Sequence, residues 1–578
     1  MKEKCMPQDY KTIKEMFLGT LEKYPEKVGF MEKRPGEKEF KKITYKEFGE
    51  DVIALGTALI EKLGLKDERI AVIGENSYEW AVSYFSVVCG AGLIVPIDKE
   101  LPSNEIENLV RRSNAKAIFY SSRKRDVIDN VRDKGTSLKY YIEMYPNEDK
   151  KELEKDGTNY TIDELIAEGK KLDRNKYLDI TIDPDEFKIL LFTSGTTQEA
   201  KGVMLTNHNV LANLHSAIQL VTLYHDDIFF SVLPLHHSYE AHIGMIVPVY
   251  NGLTIAYAGG LKSIANDLKE TKPSVMLAVP ALIENLIKKV NKEIDKKGKT
   301  KLVSYVIKAT DMLGSLGWKM KRELLKEIHA SLGGNIRLIV SAAAPIDPVI
   351  GKRVEGFGIM FLQGYGLTET SPLAALVPDT NRKFGSVGIA ADCCEIKINE
   401  PNEDGIGEVF IKGENVTVGY YENEEETKKS FTGEWFHSGD LGYMDKDGFL
   451  YLTGRSKNLI ITGNGKNVYP EEIENLINKI GYVNESLVYQ KEDPKDKNEQ
   501  IIAVKVTLDE SYINDVHGDN RPSDEELHDL IWKEIKEVNH TLVPYKWVKE
   551  LEVKKEDFIK TTTMKIKRFE ELKKDNKN

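Results

Sequence analysis

Apolar residues recur every three to four positions along Asp51–Leu63 (DVIALGTALIEKL), which predicts a helix with one buried face. The run Ile70–Ile73 reads as a strand. Trp80–Val88 predicts a buried helix, Gly92–Pro96 a second strand, Glu105–Arg112 another helix and Ala117–Tyr120 a third strand. Strands that alternate with helices predict a parallel sheet covered on its faces by helices. The pattern resumes after Ile189. Ile228–Val232, Leu253–Tyr257, Val275–Val279 and Ile336–Ser341 read as strands, and Ala281–Val290 and Lys321–Leu332 as helices. The lysine-rich run Asn291–Lys301 between them reads as a solvated helix end or loop.

From Gly385 the period changes. Cys394–Ile398, Gly407–Lys412 and Phe449–Thr453 are short strands separated by Gly or Asp turns, which predicts a small β subdomain. A final block, about Leu459–Asn578, mixes strands (Glu485–Gln490, Ile501–Leu508) with helices (Glu471–Ile480, Asp524–His540). It reads as a separate α+β domain.

At 578 residues the chain is too long for one core. Its net charge of −12 argues against a nucleic-acid binder, for which a basic footprint is expected. The four cysteines, Cys5, Cys89, Cys393 and Cys394, lack zinc-ligand spacing and read as reduced thiols. The N-terminus MKEKCMPQDYKTIKEMF has no apolar signal core. Stretches such as Ile243–Tyr250 and Leu93–Ile97 fall short of the ~18 residues a membrane span needs. These features predict a cytoplasmic protein without a transmembrane segment and leave peripheral membrane contact open.

The chemistry concentrates in a few segments. Leu190–Thr206 (LLFTSGTTQEAKGVMLT) follows an apolar run with glycines, hydroxyls and a lysine. Glycine lets backbone N–H groups approach an anion. Thr193, Ser194, Thr196 and Thr197 add hydroxyls around Gly195, and Lys201 adds charge. Lys201 precedes Gly202 and Val203, so the order is not that of a Walker loop. Read alone, the segment also fits an ordinary polar loop. Leu338–Ile346 (LIVSAAAPI) puts Ala342, Ala343 and Ala344 where a flat ring could lie against backbone; tight packing explains it equally well. Gln363–Thr370 (QGYGLTET) sets a hydroxyl, Thr368, beside a carboxylate, Glu369, a pair that suits phosphate and Mg²⁺. In Trp435–Leu441 (WFHSGDL), Asp440 could accept from ribose hydroxyls. Arg455 could reach the same sugar or a phosphate. Lys565, in IKTTTMKIKR, reads by itself as part of a solvated basic tail.

Together these segments resemble the adenylate-forming superfamily of acyl-CoA synthetases, nonribosomal peptide synthetase adenylation domains and luciferases. The resemblance runs in order through TYKEF, GENSYEW, VPID, FTSGTTQEAKGVMLT, LPLHHSYE, SAAAPI, QGYGLTETSP, GEVFIKGENVTVGYY, WFHSGD, GRSKNLIITGNGKN and KTTTMKIKR. Within the superfamily, LPLHHSYE, GRSKNLIITGNGKNVYP and the threonine-rich tail are similar to long-chain fatty-acid–CoA ligases. The chain departs from the superfamily pattern at Gln198 and Ala200, where glycine and proline are usual, and at Ile559 and Met564.

The resemblance implies an α/β fold. Residues 1–454 would form a large N-terminal AMP-binding domain of parallel α/β sheets with a small β subdomain, 455–458 a hinge centred on Lys457, and 459–578 a mobile α+β domain. It implies two half-reactions: a fatty carboxylate attacks ATP to give acyl-adenylate and pyrophosphate, and the CoA thiol then displaces AMP. Thr193, Ser194, Gly195, Thr196, Thr197 and Lys201 would hold the outer phosphates. Thr368 would touch the α-phosphate and Glu369 would bind Mg²⁺. Gln363, Gly364, Tyr365, Gly366, Leu367 and Ala342–Ala344 would flank adenine, and Asp440 and Arg455 would hold ribose. Lys565 would bridge carboxylate and α-phosphate, Gly465 would line the thiol tunnel, and His237, Tyr239 and Glu240 the acyl pocket. An acyl carrier protein is the alternative acceptor. A nucleotide-binding protein without turnover is the remote alternative, resting on Gln198 and Ala200.

Overall fold

The computed structural model describes residues 3–34, 36–132, 134–145, 153–193, 200–260, 262–462, 465–493, 499–561 and 565–575. Its contacts divide the chain into two units: Met1–Ile396 with Ile411–Phe436, and Lys397–Phe410 with His437–Asn578.

The first unit is built on two sheets. In the nine-stranded sheet, Met360–Tyr365, Leu338–Ser341, Val275–Ala278, Ile228–Ser231, Thr254–Tyr257 and Val28–Glu32 lie side by side in parallel. Lys41–Thr44 closes one edge and Ala375–Leu376 with Ile389–Ala390 the other, all antiparallel. In the eight-stranded sheet, Phe187–Thr193, Gly92–Pro96, Glu68–Ile73, Ala117–Tyr120, Tyr140–Glu143 and Asn159–Thr161 are parallel. Lys201–Thr206 and Gly419–Tyr420 add an antiparallel edge. The parallel α/β expectation therefore holds for the sheet centres. The edges differ because parallel pairing needs a long crossover, whereas the links before Lys41 and Lys201 are too short for one.

Several sequence features act on the fold alone. In TYKEF, Thr44 caps the helix Tyr45–Glu61: its hydroxyl accepts from Glu47 N at 3.2 Å, while the Glu47 carboxylate accepts from Thr44 N at 2.7 Å. Thr206 and Asn209 repeat the device at the start of Asn207–Leu220. The core beneath is aromatic. Phe30 lies 4.6 Å from Phe48, which lies 5.4 Å from Phe85. These three rings are fully buried, and truncating one to alanine costs about 3–5 kcal/mol.

The second unit has a three-stranded sheet in which Gln500–Leu508 pairs antiparallel with Val483–Glu492 and parallel with Val548–Lys554. The helices Pro470–Ile477 and Asp524–His540 bury Ile473 and Ile531 with Val488 and Val504 in its core. Ile460–Ile461 and Asn467–Val468 form a small hairpin.

Two local expectations are corrected. Lys321–Leu332 is two helices, Gly314–Leu324 and Lys326–Ser331, because Leu325 leaves helical geometry at φ −105°, ψ 24°. The helix expected over Trp80–Val88 runs from Tyr78 to Ser86 and passes into a wider turn, Val87–Ala91, containing Gly90 at φ 159°. The lysine-rich run is the expected helix end and loop: it takes in the end of Pro280–Lys296, the link 297–299 and the start of Thr300–Asp311, and is mostly exposed. Among the described residues no helix is long and apolar enough to cross a membrane.

Candidate active site

In the first unit, the candidate segments follow the carboxyl ends of parallel strands, where open α/β sheets place ligands. Ser341 and Gln363 are register partners on neighbouring strands. Ala342–Ala344 therefore leave one strand beside Gly364 and Tyr365, the last residues of the next, from which Gly366 and Leu367 depart. Ala343 takes a left-handed conformation, φ 74°, which a Cβ disfavours. Gly366 is obligatory for another reason: a Cβ there would stand 1.7 Å from the Pro372 carbonyl oxygen.

The strands Phe187–Thr193 and Lys201–Thr206 form a hairpin in which Thr193 faces Lys201. Ser194, Gly195, Thr196, Thr197 and Gln198 lie outside the described residues. Thr193 Oγ1 points at the Lys201 carbonyl, 3.4 Å away. The Lys201 ammonium pairs with Glu426 and lies 5.0 Å from the centre of the Tyr420 ring. Tyr420 OH donates to Glu369 Oε1 at 2.8 Å. Tyr420 thus connects the loop lysine with the carboxylate expected to hold metal. Its phenol pKa is raised, by burial first and then by the charge of Glu369.

Thr368 and Glu369 sit half-buried in the single turn Thr368–Thr370. That turn is fastened from below. Asn213 Nδ2 donates to the carbonyls of Thr370 (3.2 Å) and Leu373 (2.6 Å), and Asn415 Nδ2 donates to the same two oxygens. Thr417 N donates to the Glu369 carbonyl at 2.8 Å. Among the described residues no group of three or more metal-ligating side chains occurs. A lone Glu369 suits Mg²⁺, which binds through one or two carboxylates and completes its shell with phosphate and water.

The segment LPLHHSYE follows the strand Ile228–Ser231, which Val275–Ala278 separates from Leu338–Ser341. The His237 ring lies 4.2 Å from that of His236. Tyr239 OH donates to the Val340 carbonyl at 3.0 Å, on the strand that leads into Ala342. Glu240 is almost wholly buried. Its Oε1 accepts from Ser231 Oγ at 2.5 Å, and Ser231 Oγ accepts in turn from Asn76 Nδ2 at 3.0 Å. Glu240 Oε2 is buried without a hydrogen-bond partner. Burial pushes the Glu240 carboxyl up to about 8, against the smaller lowering effect of Ser231, so it is neutral at pH 7. Gly244, one turn on, leaves room for it: a Cβ there would stand 2.7 Å from the carboxyl carbon.

In the second unit, Asp440 and Arg455 face each other across the strands Trp435–Met444 and Leu450–Arg455. Arg455 Nε lies 2.8 Å from Asp440 Oδ1. WFHSGDL belongs to the strand Trp435–Met444, bent at Gly439, whose φ is 70°. Lys565 belongs to the same cluster. The arm carrying it is pinned by Lys560 to Glu485 (2.6 Å), by Arg568 to Glu474 (2.6 Å) and by the Ile559 N–H to Glu571 (2.6 Å). Lys565 is exposed, and the charges of Arg455 and Asp440 act on it. Its pKa is lowered, by desolvation first and then by repulsion from Arg455, with Asp440 opposing. Lys457 is exposed in the turn Ser456–Asn458, directly after Arg455. Gly465 stands in the tip of the 460–468 hairpin at φ 71°, with open space where a Cβ would point.

Sequence reasoning did not single out Tyr420, Glu426, Asn76 or Ser231. Tyr420 and Asn76 lie inside quoted motifs, but nothing in their spacing marks them. Tyr420, Glu426 and Asn76 find Glu369, Lys201 and Ser231 at separations of 51, 225 and 155 residues, whereas Ser231 lies nine residues from Glu240.

The fold and these residues define an enzyme class. The family of AMP-binding enzymes matches residues 18–421, and the chain belongs to it: it is an adenylate-forming ligase. The chain is 28% identical over 468 residues to long-chain-fatty-acid–CoA ligase 6 of Mus musculus, covering 77% of this chain and 67% of that protein. It is 27% identical over 468 residues to long-chain-fatty-acid–CoA ligase FadD15 of Mycobacterium bovis, covering 77% and 75%. The solved structure of the anthranilate CoA ligase AuaEII with anthranoyl-AMP superposes with a TM-score of 0.75 at 20% identity, covering 98% of each chain. That likeness establishes the shared fold.

Proposed function

We propose that this protein activates a fatty acid with ATP and transfers the acyl group to CoA, releasing AMP and pyrophosphate. The observation that carries the reading is the grouping of Lys201, Tyr420 and Glu369 in a member of the AMP-binding family. One cation and one carboxylate, tied through a phenol, suit a polyanionic phosphate chain and its metal. The names of the curated relatives support a long-chain acid as substrate and CoA, rather than an acyl carrier protein, as acceptor.

In this reading a fatty carboxylate oxygen attacks the α-phosphorus, and pyrophosphate leaves. Lys201 and the hydroxyls of residues 193–197 grip the outer phosphates. Thr368 donates to the α-phosphate, and Glu369 would hold Mg²⁺, which offsets phosphate charge. Lys565 supplies the positive charge between carboxylate and phosphate, and preorganised charge of this kind lowers the barrier most effectively. Asp440 and Arg455 hold the ribose, and the small-residue turn at Ala342–Ala344 and the turn Gln363–Leu367 flank adenine. The thiol of CoA then attacks the acyl carbon, and AMP leaves. The domain of residues 459–578 turns about Lys457 between the steps, which withdraws Lys565 and brings Gly465 to the pantetheine arm. His237, Tyr239 and Glu240 bound the acyl side.

The test is AMP release from ATP and Mg²⁺ with acids from acetate to oleate, with and without CoA. CoA-dependent release that peaks at long chains is expected. A peak at short or aromatic acids would overturn the long-chain assignment, and release with a carrier protein but not with CoA would overturn the acceptor.

A further inference from the structure

The helices Thr300–Asp311 and Gly314–Leu324 leave unusually large apolar side chains in solvent. Met312 keeps 88% of its surface open, Tyr305 72% and Leu316 61%, and Leu302, Met320 and Leu324 are exposed with them. Single exposed apolar residues are ordinary. These are not single. Leu302 and Tyr305 stand three apart on the first helix and Met312 follows at its C-terminal cap, while Leu316, Met320 and Leu324 recur every four residues on the second, so the exposed side chains form stripes. Gly317 draws the two helices together: a Cβ there would stand 1.9 Å from the Thr310 carbonyl oxygen. A joined apolar face of this kind marks an interaction surface.

Charge says what covers it. The chain as a whole carries −12, yet residues 291–330 hold ten lysines and arginines against five acidic residues. Lys301, Lys308 and Lys319 are exposed and, at helical spacing, border the apolar stripes. Lys296 and Lys326 are exposed on the flanking segments. An apolar face edged by lysines is the pattern of a surface that sinks its side chains into the headgroup boundary while the ammonium groups meet anionic lipid. Lysine stems add apolar contact there as well.

We propose that this helical pair docks the protein on an anionic lipid bilayer. The face lies outside the residues assigned to nucleotide, acyl chain and thiol, and it stands whether or not the acyl substrate is the one named above. The contact is peripheral and salt-sensitive, because its electrostatic part is screened within about a Debye length.

The experiment is co-sedimentation of the full chain with phosphatidylcholine vesicles, with and without phosphatidylglycerol, at low and high salt. Binding to the anionic vesicles is expected, weakened at least about tenfold by salt or by omission of the anionic lipid. Two variants carry the test. Tyr305→Ser/Met312→Ser/Leu316→Ser removes the apolar face, and Lys301→Gln/Lys308→Gln/Lys319→Gln removes the charge. All six side chains are exposed, so both variants keep the wild-type thermal midpoint, and each loses vesicle binding. Failure of the wild type to bind, or unchanged binding by both variants, overturns the proposal. A concentration-dependent dimer that the apolar variant converts to monomer also overturns it, by giving the face to a second copy of the chain.

Discussion

Glu240 offers a quantitative check on the buried polar chain Asn76–Ser231–Glu240. Its carboxyl binds a proton with a pKa of about 8 in the fold, against an ordinary value of 4.5. Between those values the folded chain holds a proton that the unfolded chain has released. Stability therefore falls as pH rises through this window, by ~1.4 kcal/mol per pH unit. From about pH 5 to pH 7 the loss is on the order of 3 kcal/mol. Glu240→Gln keeps the shape and the acceptor for Ser231 but removes the titration. Urea unfolding of both proteins at several pH values in this range measures it. The variant's stability minus the wild type's should rise with pH at nearly that slope. Glu79, another buried carboxyl held at about 8 by burial, is present in both proteins and cancels in the difference. Two curves that run parallel would refute the assignment of a neutral, buried Glu240.

Other outcomes follow from the same geometry. Lys565→Ala should abolish fatty-acid-dependent ATP–pyrophosphate exchange while sparing conversion of supplied acyl-AMP to thioester; equal loss of both would remove its assigned role. Because desolvation, and after it Arg455, lower the Lys565 pKa, exchange should decline at a lower alkaline pH than an ordinary lysine would give, and Lys565→Arg should move that decline upward. Glu426→Gln frees Lys201 from its ion pair, and the KM for ATP should drop about two- to fivefold with kcat nearly unchanged; an increase in KM would mean that Glu426 positions the lysine productively. Gly366→Ala drives a Cβ into the Pro372 carbonyl and should cost about 3 kcal/mol or more in stability, read by thermal unfolding. A wild-type midpoint would show that the turn yields.

Much of the fold was legible because burial imposes a period on the sequence. Gly92–Pro96, Ala117–Tyr120 and Asp524–His540 have the bounds their patterns predict. Lys321–Leu332 misled because its apolar spacing continues through Leu325, where only the backbone turns away. Ile13–Lys23 carries a helical period at Ile13, Met16 and Phe17 and a Thr12 cap, but the period is short and overlaps the charged N-terminal segment. The motif residues lie at strand ends, where glycine and hydroxyl runs stand out against apolar strands. Tyr420 and Glu426 meet Lys201 only because Gly419–Tyr420 pairs with the strand Lys201–Thr206, and such a long-range pairing leaves no local signature. Asn76 reaches Ser231 across 155 residues for a comparable reason.

The most direct test of the account is exchange of labelled pyrophosphate into ATP, with Mg²⁺ and oleate but without CoA. The account predicts exchange that requires the acid, together with an acyl-AMP that CoA consumes with release of AMP. Exchange that ignores the acid, or cleavage of ATP to ADP, would contradict it.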